Sequence, residues 1–215
     1  MKILPFDKCR VDILERTFGL RPEQTLPKFQ DWISARHPIG EVHRATIERL
    51  RETLFRFRNL WNEDELKIKF IAPLLYLVQF DGKEYHSFAG RVLSAVVDGV
   101  RLTGKPDFMV ATGAGEPEKP YFFLHEYKQL RVGSPDPLGQ VLAAMFVAQT
   151  LNNDRQPVYG CYTVADIWRF VLLNENCYSV SQGYDVSDKT EIEIVWSILC
   201  ETKKRIEQRV QEAGL

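Results

Sequence analysis

Asp107, Glu126 and Lys128 have the types and spacing of a carboxylate–ammonium site. The stretch Tyr121 to Lys128 reads YFFLHEYK. In a strand, side chains alternate between faces, so Phe122, Leu124, Glu126 and Lys128 share one. That face turns from apolar to charged along its length. Gly104 to Thr112, GKPDFMVAT, is the natural antiparallel partner, because Gly113 to Pro120 reads as a hairpin loop rich in Gly and Pro. Symmetric closure, with Thr112 facing Tyr121, sets Asp107 opposite Glu126 and Lys105 opposite Lys128. Two facing carboxylates repel across a sheet. A hard divalent cation, which prefers oxygen ligands, relieves that repulsion.

The plainer arrangement of the same side chains is a cross-strand ladder of ion pairs on an exposed face. Phe122 and Leu124 on that face argue against it. So do Phe108 and Val110 on the other face of the partner strand, which together describe a sheet covered on both sides.

Other groups surround this centre. Asn62 is placed to cap a helix, with Glu65 at the capping-box position. Glu65 is either a third carboxylate of the cluster or half of an exposed pair with Lys69 one turn on, and its neighbours Glu63 and Asp64 can take its place. Arg91, Arg101, Lys105 and Arg131 flank the centre, either to hold phosphates or to solvate sheet ends. His125 falls on the face opposite Glu126, and His37, His43 and His86 lack metal-ligand spacing. Cys9, Cys161, Cys177 and Cys200 form no CxxC pair, so zinc ligation and a redox dithiol lack support and buried free thiols are expected. Gly113-Ala114-Gly115 lacks the Lys-Ser/Thr of a phosphate loop and reads as a turn.

The elements that must position these groups follow from periodicity. Cys9 to Phe18, Leu26 to Ala35 and Glu41 to Asn59 have helical spacing, the last with Ile47, Leu50, Leu54 and Phe57 on one stripe. Residues 1–60 therefore read as a helical extension ahead of an α/β domain over 61–215. In that domain a helix runs from Glu63 to Gln79, with Pro73 set to kink or split it. A β-rich stretch follows at Val92 to Val100, then strands at Lys105 to Thr112 and Tyr121 to Lys128. Leu138 to Leu151 is a helix of small residues. Strands are expected at Pro157 to Thr163 and Ile167 to Leu173, with a weaker one at Tyr178 to Ser181, and a helix from Glu191 to Ala213 closes the chain. This order predicts a mixed sheet with helices on both faces.

Bulk properties narrow the function classes. A chain of 215 residues, 45% hydrophobic and 27% charged, can bury a core and is not globally disordered. A net charge of −1 argues against a pure DNA-coating role, so any nucleic-acid contact must come from a local basic surface. The first residues, MKILPFDKCR, lack the apolar run of a signal peptide, and no stretch reaches the ~18 apolar residues of a membrane span. A cytoplasmic protein without membrane contact is expected.

Pro106-Asp107 followed by Glu126-Tyr127-Lys128, in this order of elements, resembles the PD-(D/E)XK nuclease superfamily of restriction-endonuclease-like fold. WNEDELKIKFIAPLL, HEYKQ and GQVLAAMFVAQTLN look like an uncharacterised bacterial group within it, over about residues 60–175. The resemblance implies a Mg2+ site, with Mn2+ able to substitute, formed by Asp107, Glu126 and Glu65. It implies that Lys128 orients the attacking water and that Gln140 positions water, Lys128 or backbone. It implies phosphodiester hydrolysis of DNA, less readily RNA, leaving a 5′-phosphate. The alternative is a non-catalytic interaction or regulatory protein on the same scaffold, with the N-terminal helices as the surface for a second copy or another protein.

Overall fold

The computed structural model describes residues 1–127 and 136–214, with residues 124–127 described through their backbone. In its first sixty residues, helices form where apolar spacing calls for them: α1 (Val11–Phe18), α2 (Pro27–Ile33) and α3 (Glu41–Phe57). Gly19 ends α1 in the left-handed region, at φ 68°, where a side chain would be strained. Pro27 opens α2, where a missing N–H costs nothing. The segment is not purely helical, however. β1 (Lys2–Pro5) precedes α1, and β2 (Arg21–Pro22) follows it. Both strands are too short to show alternation, and both exist because distant partners receive them.

The predicted helix after Asn62 is divided. α4 (Glu63–Leu66) starts with a full capping box: Asn62 Oδ1 accepts the Glu65 N–H at 2.9 Å, and the Glu65 carboxylate accepts the Asn62 N–H at 3.0 Å. A π-helical turn (Lys67–Ile71) then leads into α5 (Ala72–Val78). Pro73 has no N–H to offer the preceding turn, so the helix widens just ahead of it. Gln79 terminates α5 with φ 59°.

The strands follow: β3 (His86–Ala89), β4 (Leu93–Val97), β5 (Val100–Gly104), β6 (Phe108–Ala111) and β7 (Pro120–Tyr127). The β-rich Val92 to Val100 stretch is thus half of a hairpin. It turns at Asp98-Gly99, both with positive φ, the two-residue turn that suits a twisted ribbon. α6 (Pro137–Asn152) links β7 to β8 (Val158–Val164), which lies parallel to β7 as a crossover connection requires. β9 (Ile167–Asn174), β10 (Cys177–Val180), β11 (Tyr184–Asp185) and α7 (Lys189–Glu212) complete the chain.

These strands make a mixed sheet in the order β2-β10-β9-β8-β7-β6-β3, with β11 also on β9, and a smaller sheet β1-β5-β4. Helices cover both faces of the large sheet. Val110, Phe122, Tyr159, Phe170 and Leu172 point to a core closed by α2, α3, α5 and α7. Met109, Ala111, Phe123, Val171 and Leu173 point to a second core closed by α1, α6 and the smaller sheet. The alternation Met109/Val110/Ala111 between the two cores is the pleat expressed as burial.

α6 lies between the large sheet and the smaller one, and Val141 to Ala148 are all buried. Its small residues permit that. Gly160 on β8 marks the closest approach: a Cβ there would sit 2.6 Å from Met145 Sδ. Among the described residues, no helix is long and apolar enough to cross a membrane.

Candidate functional site

Asp107 does not lie in a strand. Pro106 is buried and cannot donate to a ladder, so β6 begins only at Phe108, and Asp107 stands in the bend before it. The hairpin also closes differently from the symmetric expectation. Thr112 N–H donates to Lys119 C=O at 3.1 Å rather than facing Tyr121. The register shifts between Val110 and Ala111 and ends at Phe108 opposite Leu124. The expected Asp107–Glu126 rung is therefore absent from the ladder. Pro120 inside β7 and the irregularity beside it account for the slip, since one residue's offset changes every pairing.

What meets Asp107 is a cation from the divided helix. Lys67 Nζ lies 3.1 Å from Asp107 Oδ1 and 2.7 Å from Glu63 Oε1. Glu63 and Lys67 are four residues apart and share a helix side, while Lys67 opens the π-helical turn. All three side chains are between a fifth and about a third exposed: Glu63 23%, Lys67 29%, Asp107 34%. Two carboxylates therefore share one ammonium, and Lys67 and Asp107 also line a cleft.

Glu65 is occupied differently. Its carboxylate accepts the Asn62 N–H and the Lys69 ammonium, the latter at 2.7 Å. The Lys69 hydrogen bond first, then that of Asn62, holds it below the usual glutamate range. The acid of α4 that shares a cation with Asp107 is Glu63.

The remaining expected residues are spread more widely. Glu126 is described through its backbone, paired with Thr163 of β8. Lys128 and Arg131 lie outside the described residues. Gln140 sits in the first turn of α6, which covers the face of the sheet opposite α5. Arg91 pairs with Glu116 at 3.0 Å. Arg101 is exposed on β5 between Ile3 and Val96, in the smaller sheet. Lys105 is exposed just after β5. Among the described residues, no three of His, Cys, Asp and Glu converge as a metal-holding group.

The cleft beside Asp107 was not signalled by any sequence motif. It has a volume of about 340 Å³ and is lined by Ile71, Leu75, Tyr76, Phe80, Ala89 and Phe108, together with Lys67 and Asp107. Asp81 and Ser87 also line it. The Asp81 carboxylate accepts the Ser87 N–H at 2.9 Å and its hydroxyl at 3.0 Å. Only the Glu63–Lys67 spacing was readable beforehand; the walls come from α5, β3 and β6, which are separated in sequence.

Thiol chemistry is poorly provided for. All four cysteines are free; Cys9 and Cys161 are buried, Cys177 and Cys200 half-buried. Burial pushes Cys9 up to about 12 and Cys200 to about 11, and raises Cys161 well above the ordinary thiol value. Thiolates are thus scarce at neutral pH. The chemistry on offer at Asp107 is that of hard oxygen donors beside an ammonium and an apolar cleft. No family model matches the chain, and no curated protein matches it.

Proposed function

We propose that this chain is a divalent-metal-dependent nuclease of restriction-endonuclease-like fold, with DNA as the favoured substrate. The observation that carries the proposal is the placement of Asp107. It stands directly before β6, next to the strand that carries Glu126 and leads to Lys128, and it shares a cation with Glu63. The element order supports the same reading: an acidic helix, antiparallel β3, β6 and β7, then α6, then β8 parallel to β7.

The donor chemistry fits magnesium. Carboxylate oxygens are its preferred protein ligands, and one or two suffice when water and phosphate complete the shell. A positive charge is already accommodated between Asp107 and Glu63, in the form of the Lys67 ammonium. Asp107 and Glu126 would hold the ion, with Glu63 taking the part expected of Glu65. Bound there, the ion would polarise a phosphoryl oxygen and make its water a stronger nucleophile. The chain's own groups do the rest. Lys128 orients the water and offsets developing negative charge. Lys67 holds Asp107 and Glu63 in place.

Cleavage assays test this. Single-stranded, nicked and supercoiled DNA with Mn2+ should be cut by the wild type, and Asp107→Ala and Lys128→Ala should each lose about a hundredfold or more in rate. Titration calorimetry should show Mg2+ or Mn2+ binding that Asp107→Ala abolishes. Equal metal binding by that variant, or cleavage that survives both changes, would overturn the assignment.

A second reading has its own observation. Val42, Phe55 and Leu60, on and just after α3, are 80%, 62% and 76% exposed. Such apolar side chains suit a protein partner or a second copy of the chain. A chain that cuts no DNA but sediments as a dimer would favour a non-catalytic role.

A further inference from the structure

A strand at the end of a sheet presents unpaired backbone N–H and C=O groups, which invite another strand. The two sheets end in β1 and β4, and in β2 and β3. Three of these ends are blunted. β1 carries Lys2 and Pro5. β2 is two residues long and ends in Pro22. On β3 the Asp81 carboxylate accepts the Ser87 N–H at 2.9 Å, so a side chain already takes that donor. β4 has no such device. Its five residues, Leu93-Ser94-Ala95-Val96-Val97, include no charge and no proline, and they pair with β5 without a bulge. Val92 and Val96 are 59% and 46% exposed. Among the described residues, no group outside β5 hydrogen-bonds the β4 backbone. Which groups face outward follows from the hairpin. Asp98-Gly99 is a two-residue turn, so Val97 and Val100 form its closing hydrogen-bonded pair. The ladder to β5 then uses Val97, Ala95 and Leu93, and the backbone groups of Ser94 and Val96 point away from it. The strand's flanks differ in charge: Arg91 precedes it and Asp98 follows it, both exposed. Arg91 also pairs with Glu116, a contact exposed on both sides and worth little by itself.

We infer that β4 pairs antiparallel with β4 of a second copy of this chain, about a twofold axis at Ala95. In that register Ser94 of one copy faces Val96 of the other, and each such pair exchanges both of its outward backbone hydrogen bonds. Antiparallel pairing sets the Arg91 flank of each strand beside the Asp98 turn of the other copy. Parallel pairing would bring like charges together. Within the strand no like charges meet across the axis, because β4 has none. A twofold contact uses the same patch on both copies and therefore closes on itself. β1, with Lys2 and Pro5, forms the far end of the joined sheet and stops its growth, so the product is a dimer rather than a fibre. The smaller sheet lies on the opposite side of the large sheet from α3, so this interface is distinct from the exposed Val42, Phe55 and Leu60. It holds whether or not the chain cuts DNA.

Sedimentation velocity on the full chain tests this, and a dimer is the expected species at micromolar concentrations. Val96→Pro removes an outward N–H and leaves the β5 ladder intact, so it should raise the dissociation constant about tenfold or more. Val96→Lys leaves the backbone unchanged and sets a charge near its own symmetry mate. It should weaken the dimer as well, and added salt should restore part of the affinity. The register has its own readout. Ala95→Cys would face itself across the axis with about 4.5 Å between Cα atoms, within disulfide reach. Mild oxidation should therefore give a covalent dimer, whereas Ile3→Cys on β1 and the wild type, whose own cysteines are buried or half-buried, should not. Phe55→Ser on α3 should leave the dimer unchanged. A monomer at about 100 µM, a dimer that both Val96 variants leave intact, or one that Phe55→Ser dissociates would overturn the inference. So would an Ala95→Cys chain that stays single on oxidation.

Discussion

Glu201 on α7 is buried, at 9% exposure, and an isolated carboxylate there would cost several kcal/mol. It survives because His37 Nε2 and Arg205 Nε each lie 2.9 Å from its oxygens. Burial alone pushes this group upward, but the hydrogen bonds to His37 and Arg205 outweigh it and leave it below the ordinary value of 4.5. Its stabilising effect is therefore complete above the unfolded value and is lost as pH falls through the lower folded one. Glu201→Gln should flatten the acid limb of the stability curve below about pH 4.5, and should cost about 1–3 kcal/mol at pH 7 by leaving Arg205 underpaired. Urea titrations across the acid range read both effects. At this scale the sequence was informative only where partners are neighbours. The Asn62–Glu65 capping box and the Glu65–Lys69 pair were legible because they lie three and four residues apart. The Lys67–Asp107 contact spans 40 residues and was not.

Elements with a full period were legible; among the short ones β6 and β10 were expected, and the others were not. α3, α6, α7 and strands β7, β8 and β9 carry enough residues to display 3.6- or twofold repetition. β1, β2, β3 and β11 have two to four residues each, and only their pairing defines them. The bend at Asp107 was missed because the run from Lys105 to Thr112 alternates well enough to read as strand; buried Pro106 breaks it. Helix starts offer a quantitative check. Asp136 caps α6 by accepting the Gly139 N–H at 3.0 Å, and it also accepts the Val11 N–H at 2.9 Å, so one carboxylate serves the starts of α1 and α6. Asp136→Ala should cost about 2 kcal/mol, against about 1 kcal/mol for Asn62→Ala, which caps α4 alone. Thermal unfolding of the two variants checks the order.

Across the molecule, the N-terminal sixty residues are part of both cores. Leu14 and Phe18 fill the α6 side, while Trp32, Ile47 and Leu54 fill the other. Trp32 is wholly buried among Tyr159 and Phe170, and its indole N–H donates to Thr202 Oγ1 at 2.9 Å. Burying side chains of this size is worth about 2–3 kcal/mol each. A chain lacking residues 1–60 should therefore fail to unfold cooperatively and should bind a hydrophobic dye at neutral pH. A sharp melting transition in that fragment would show that residues 61–215 stand alone. The sheet with helices on both faces was readable from element order. The depth to which the first sixty residues enter it was not, because burial depends on partners a hundred or more residues away.

The pairing of β1 with β5 and of β2 with β10 joins Lys2 to Val100 and Arg21 to Cys177. On a ribosome, the first strand must wait for about a hundred residues to be added and the second for about a hundred and fifty. Until then Phe18 and Trp32 leave the exit tunnel with nothing to cover them. The nascent chain thus keeps these apolar side chains without their native partners for most of its translation, a state in which aggregation competes with folding.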